Sequence, residues 1–247
     1  MKYKFVDIGC CFFETSVDEF GLDVDGLLVE PIKEACDVLP YSDKVKIVNV
    51  AISDYNGTGE LTVPEDMKIE RYIPREEMLG KYDQFPNAGI IGGSTLQEPL
   101  TFNYHNIKQK KIECKIISFY DLCEQYNITE IDYLRIDTEG HEPVILKQVL
   151  DMMQNNKLTI NCELAFEYNY LSDNNVLDNF AESFSQFGFR HEIIHEGWNK
   201  DIVLTKFGID LEKDAEFKKS KILKQKEKVS QKTNLLRQHK ARIKNER

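Results

Sequence analysis

One segment concentrates groups able to do chemistry. Ile136-Asp137-Thr138-Glu139-Gly140-His141-Glu142 carries four ionisable side chains within six residues. It follows the apolar run Tyr133-Leu134-Arg135-Ile136, so these groups stand at a strand end, where burying them without partners or purpose is costly. Glu139 and Glu142 have a competing reading as helix-capping acids; Asp137 has the stronger claim to a reaction. Two further strand ends add to the set. Phe5-Val6-Asp7-Ile8-Gly9 closes on a glycine that lets a ligand approach the backbone. Gly26-Leu27-Leu28-Val29-Glu30 ends about twenty residues after Gly9 on an acid able to accept hydrogen bonds from both hydroxyls of a ribose. Glu163, closing the run Leu158–Cys162, is expected beside Asp137. No second glycine follows Gly9, where Cys10-Cys11-Phe12-Phe13-Glu14 stands, so a pyrophosphate-binding glycine loop is excluded.

The elements that position these groups alternate in type. Strands are expected at 3–8, 26–30, 45–50, 133–136 and 158–162, with a short helix over 14–20 and another opening on Pro31 and running to Leu39. Such alternation within so short a length points to βαβ units and a parallel sheet. Ser118, with Asp121 three residues on, starts a further helix. Another runs from Glu142-Pro143 to about Met153 with Val144, Leu146, Val149 and Leu150 toward the sheet, and a last one from Asp173 or Asn174 to Phe187, closed by Gly188. The runs 189–194 and 201–205 are too close in sequence for a parallel crossover and must form an antiparallel hairpin. The expected fold is therefore α/β and Rossmann-like: a mostly parallel seven-stranded sheet with a C-terminal antiparallel hairpin and helices on both faces.

Residues 1–210 form the expected domain. Within it 64–110, punctuated by Pro64, Pro74, Gly80, Pro86, Gly89, Gly92, Gly93 and Pro99, reads as an irregular insertion after a hairpin around Leu61–Val63. Residues 211–247 hold 13 Lys and Arg against 5 Asp and Glu, leaving 19 against 37 for residues 1–210. An acidic body discourages nucleic-acid binding, so no nucleic-acid partner is expected. The basic tail reads as one helix with half a heptad seam (Ile222, Val229, Leu236, Ile243), suited to docking or oligomerisation. Six cysteines without a C-x-x-C pair suit buried thiols. The absence of an eighteen-residue apolar run and an early acid at Asp7 imply no transmembrane segment, no signal peptide and a cytoplasmic location.

The set Phe5–Gly9, Val29-Glu30-Pro31, Asn49-Val50-Ala51-Ile52-Ser53 and Ile131–Glu142 resembles, in order, the FkbM methyltransferase family. The resemblance implies a fold that binds S-adenosylmethionine (SAM) and methyl transfer to an oxygen, often a hydroxyl of a sugar or secondary metabolite. It further implies that Asp7 and Gly9 line the methionine end of the cofactor. Glu30 with Pro31 would hold the ribose, Ala51, Ile52 and Ser53 would lie near the adenine, and Asp137 would sit at the methyl-transfer end. Family members continue strand one with a small residue, Asn and Gly where this chain has Cys10-Cys11-Phe12-Phe13.

Methyl transfer from a sulfonium to a hydroxyl requires alignment and removal of the hydroxyl proton. Asp137 or His141, with Glu139 beside them, is the expected base; alternatively Asp137 and Glu163 hold a divalent cation, magnesium or calcium by their ligand type, that acidifies the hydroxyl. The acceptor, a small molecule or glycan, is expected against the 64–110 insertion and Phe166, Tyr168, Tyr170 and Trp198, with Gly92-Gly93-Ser94 as a lid hinge. The competing class is a non-catalytic binding or scaffold module tethered by the tail, with the Cys10–Phe13 loop filling the cofactor pocket.

Overall fold

The structure, a computed structural model, describes residues 1–78, 94, 96, 108–168, 174–193 and 200–206. Seven strands make the main sheet: β1 (Lys2–Ile8), β2 (Gly26–Val29), β3 (Val45–Val48), β7 (Glu130–Ile136), β8 (Thr159–Tyr168), β9 (Phe189–Ile193) and β10 (Lys200–Lys206), in the order β3-β2-β1-β7-β8-β10-β9. The first five are parallel, and β10 runs antiparallel to both β8 and β9. The order reverses between β1 and β7, so ligands are expected beyond the carboxyl ends of those strands.

Alternation along β1 explains the layering. Val6 and Ile8 point with Leu27, Val29, Leu134 and Ile136 to one face, which packs on α4 (Phe119–Gln125), α5 (Glu142–Gln154) and α6 (Asn174–Phe184). Phe5 and Leu28 point to the other face, beneath Val17 of α1 (Val17–Phe20) and Leu39, just after α2 (Lys33–Cys36). Within α5 the sheet-facing residues are Ile145, Leu146, Val149, Met152 and Met153, a stripe one position round from the expected Val144 and Leu150. Ser118 caps α4 by accepting from Asp121 N–H, and Gly188, left-handed at φ 84°, closes the 3-10 turn after α6.

A second sheet departs from the sequence reading. β4 (Ala51–Ser53) pairs parallel with β6 (Gln109–Ser118), and β5 (Gly57–Pro64) pairs antiparallel with β6. The expected third strand over 45–50 ends at Val48, a separate strand follows from Ala51, and Leu61–Val63 pairs with Lys110–Ile112 rather than within a local hairpin. Of the 64–110 insertion, the described residues include α3 (Arg75–Met78) and Ile73, which bridges to Phe13. Phe12, Ile32, Ala35, Ala51, Leu61, Val63, Ile73, Cys114 and Ile116 form a core between this sheet and α2. The described residues contain no helix long and apolar enough to cross a membrane. All six cysteines are free thiols, four of them buried. The lid hinge Gly92-Gly93, the loop around Trp198 and the whole 211–247 tail lie outside the described residues.

Candidate functional site

A cleft lies where the ends of β1, β2 and β7 meet the edge of the smaller sheet. Gly9, Glu30, Pro31, Ala51, Ile52, Asp137 and His141 line it together, as do Ser94 and Leu96 from the insertion. Its walls combine two kinds of residue. Ile32, Val50, Ala51, Ile52, Leu61 and Leu96 supply its apolar lining, and Glu30, Asp137, Thr138 and His141 its polar side chains.

The meeting of β1 and β7 depends on Gly9. It sits at φ 76°, and a Cβ there would lie 1.9 Å from the Asp137 carbonyl oxygen. Only glycine allows β1 to turn away while the end of β7 crosses it. The loop continues through Cys11 and Glu14, both left-handed at φ 53° and 50°. Its bulky residues do not enter the cleft. Cys10 packs in the core under α1, and Phe12 packs against Ile32, Leu61 and Ile73 in the smaller core with Phe13 edge-on to it. Of these four residues only Cys11 lines the cleft.

Glu30 holds that loop in place. It is 4% exposed, with Oε2 accepting from Cys11 N–H and Oε1 from Ile32 N–H, each at 2.8 Å. Each carboxylate oxygen retains a lone pair for a ligand hydroxyl. Burial raises its pKa to about 7, against the opposing effect of the two amides.

At the end of β7 Asp137 Oδ2 accepts from Arg135 at 2.6 Å, and Oδ1 has no hydrogen-bond partner among the described residues. Arg135 also faces Asp7 Oδ1, with Nη1 at 3.5 Å, an ion pair but no hydrogen bond. Asp7 is wholly buried beneath the cleft, its Oδ2 accepting from Ser16 N–H and Oγ–H. Asp7, Arg135 and Asp137 thus form a charge chain across adjacent strands, with the cation shared between two acids. Sequence reading passed over Arg135. The signal was present: residues 135 and 137 share a strand face, and an arginine inside an apolar strand demands a partner.

The loop after β7 is held by a different glutamate. Glu142, fully buried in the first turn of α5, accepts from Thr138 N–H and Oγ1–H and from Gly140 N–H. This secures Glu139 and Gly140 in left-handed conformations at φ 52° and 100°. Burial raises the Glu142 pKa to about 6. Glu139 is half-buried and does not line the cleft. His141 lines it, with Nε2 at 3.0 Å from Ser53 Oγ, and burial lowers its pKa. Ser53 is 2% exposed and lies behind the lining, bonded to His141 and Asp54.

The expected pairing of Asp137 with Glu163 does not form. β8 does not end at Glu163 but runs to Tyr168, and Glu163 registers with Tyr133, four residues before Asp137. At about 3.3 Å per residue this sets the two acids roughly 13 Å apart along the sheet. No group of three or more His, Cys, Asp or Glu arranged to hold a metal occurs among the described residues. Phe166 is buried in the main core, and the side chains of Tyr168, Tyr170 and Trp198 lie outside the description.

A search of curated proteins and one of solved structures find no match. Residues 9–190 match the model of the methyltransferase FkbM domain, a span that contains the left-handed loop after β1, Glu30, the smaller sheet and the whole of the β7 turn. The sheet order reverses at β1 and β7, and the cleft of acid, glycine and apolar wall lies at that reversal, where open α/β sheets bind ligands. The chain therefore belongs to the FkbM methyltransferase family.

Proposed function

We propose that the cleft binds S-adenosylmethionine and that the protein transfers its methyl group to a hydroxyl oxygen, of a sugar or glycan. The observation that carries this reading is the convergence of Gly9, Glu30, Ala51, Ile52 and Asp137 on one cleft. Their chemistry suits the cofactor's parts: apolar side chains for the base, a carboxylate for the ribose hydroxyls, and a glycine and a second carboxylate for the reacting end. Phe12 and Phe13 lie in cores rather than in the cleft, which supports cofactor binding over a filled, non-catalytic pocket.

The cofactor supplies an electrophilic methyl on a sulfonium; the chain supplies alignment and a proton acceptor. Arg135 holds Asp137 by Oδ2, and Asp137 lines the cleft. With the cofactor bound, methyl transfer would make the hydroxyl proton acidic, and Asp137 would accept it. Asp7 is the positioning residue behind this pair, its charge balanced by Arg135. A neutral, hydroxyl-bearing acceptor suits the acidic body of residues 1–210 better than an anionic one.

Calorimetric titration with SAM and S-adenosylhomocysteine tests the cofactor half, repeated on Glu30→Ala, which should lose binding at least tenfold. No binding by the unaltered protein overturns the reading. Radiolabelled methyl transfer to a panel of glycans and polyols tests the reaction half. Asp137→Asn should keep cofactor affinity within about threefold and lose 10²–10⁴ in kcat.

A further inference from the structure

Ser16 stands at the N-cap position of α1, yet its side chain does not cap the helix. An N-cap serine ordinarily accepts from an amide of the first turn, a contact worth about 1 kcal/mol. Here the amides of Asp18 and Glu19 go to the Thr15 and Ser16 carbonyls, and both donors of Ser16 turn to the neighbouring strand. Its N–H and Oγ–H reach Asp7 Oδ2 at 2.8 and 2.7 Å. The helix start is arranged around a carboxylate of β1.

That carboxylate is the inner end of the charge chain. Asp7 is wholly buried, and its Oδ1, without a hydrogen-bond partner among the described residues, faces Arg135 Nη1 at 3.5 Å. Arg135 Nη2 donates to Asp137 Oδ2 at 2.6 Å. The Arg135 side chain is 35% exposed, enough for a long cationic side chain to reach toward water. A buried, fixed anion opposes that and draws the guanidinium between β1 and β7. Two donors on Asp7 Oδ2 thus fix where Arg135 sits and, through it, Asp137.

Ser16 is in turn bracketed by the chain that follows β5. Tyr72 Oη accepts from the N–H of the wholly buried Thr15 at 3.2 Å and lies 3.0 Å from its Oγ1. Ile73 N–H donates to the Phe12 carbonyl, and the Ile73 carbonyl accepts from Glu14 N–H. Arg75 N–H donates to Asp18 Oδ2 at 2.7 Å. These contacts hold residues 12, 14 and 15 before Ser16 and residue 18 after it.

We propose that Ser16 is a positioning residue for methyl transfer: it sets Asp137 through Asp7 and Arg135, with Tyr72 of the insertion bracing it from outside. This rests on the reading of Asp137 as proton acceptor. Neither Ser16 nor Tyr72 lines the cleft, so their effect falls on the reacting carboxylate rather than on cofactor contacts.

The test is radiolabelled methyl transfer by variants of the full chain. Ser16→Ala removes the hydroxyl and leaves the N–H. Its kcat should fall about tenfold, a cost typical of a displaced reacting group. KM for the acceptor and affinity for S-adenosylhomocysteine should stay within about threefold. Ser16→Thr, which restores the hydroxyl, should recover most of the rate, and Tyr72→Phe should lose rate by a smaller factor. In the Asp137→Asn background Ser16→Ala should lower kcat no further, because groups that act as a unit are not additive. Thermal unfolding establishes that each variant is folded. If Ser16→Ala does not fold, Tyr72→Phe, alone and combined with Asp137→Asn, carries the same comparison. A folded Ser16→Ala protein with unaltered kcat overturns the assignment and leaves Ser16 a purely structural role. So does an equal loss of kcat with and without Asp137. Absence of transfer by the unaltered protein overturns the reading of the reaction, and this assignment with it.

Discussion

The loops that follow β1 and β7 solve one local problem in one way and serve different ends. Each must reverse direction through left-handed residues: Gly9, Cys11 and Glu14 in the first, Glu139 and Gly140 in the second. Each is tied by a buried glutamate that takes two backbone amides. Glu30 binds Cys11 and Ile32; Glu142 binds Thr138 and Gly140. Burial raises both acids, to about 7 and about 6. The difference is that Glu30 lines the cleft and Glu142 does not. An acid that only staples a loop is a stability device; the same staple facing a cavity can also bind a ligand. A raised pKa alone does not separate the two.

The largest effect should come where the loops touch. Alanine at Gly9 must hold φ 76° with its Cβ against the Asp137 carbonyl. Strain and overlap together suggest a loss of about 3 kcal/mol, or roughly 6–12 °C in Tm, along with all cofactor binding. A Gly9→Ala protein as stable as the original would break the contact on which the comparison stands.

Next is Glu142→Ala, which strips the acceptors from Thr138 and Gly140 N–H. We expect a similar loss of about 3 kcal/mol in thermal unfolding, with cofactor affinity in the folded protein changed by no more than about threefold. Glu30→Gln should do the reverse: affinity down by about 10–100-fold, the worth of hydrogen bonds to a charged acceptor, with a smaller change in Tm. If the two variants gave the same pattern, the distinction between staple and ligand-bearing staple would fall.

The subtlest separation is by pH. Both folded pKa values lie above the ordinary 4.5. The folded state therefore binds more protons than the unfolded one between that value and 6 or 7. The stability these groups contribute is complete below about pH 4.5 and is lost as pH rises through about 6 for Glu142 and about 7 for Glu30. The difference in Tm between the unaltered protein and Glu30→Gln should shift across that window and be flat above pH 8. Cofactor affinity should move oppositely, rising by up to about tenfold per pH unit until Glu30 is ionised. Affinity independent of pH between 6 and 8 would remove Glu30 from the binding site.

Much of this was legible in the residues, and the failures share a cause. Gly9, Glu30 and Asp137 stand at ends of strands whose apolar runs are local signals, so the cleft's main members could be found one strand at a time. The smaller sheet was not legible, because Gly57–Pro64 pairs with Gln109–Ser118 across the whole insertion. Nothing within either segment names its partner. Glu163 was misplaced for a related reason: the run Leu158–Cys162 gave a strand but not its length, and β8 continues past this half-buried acid to Tyr168. Phe12 and Phe13 looked like an obstruction until the smaller core showed where they go.

The amino-acid sequence by itself determined the βαβ order, the strand ends that carry Gly9, Glu30 and Asp137, and the capping chemistry at Ser118 and Gly188, because each follows from periodicity and backbone preference over a few residues. Only the tertiary structure decided which acid faces the cleft and which is spent on a loop, that Arg135 is shared between Asp7 and Asp137, and that His141 meets Ser53. Those are matters of which donors and acceptors meet across distant strands, and hydrogen-bond satisfaction in a buried site is settled in three dimensions.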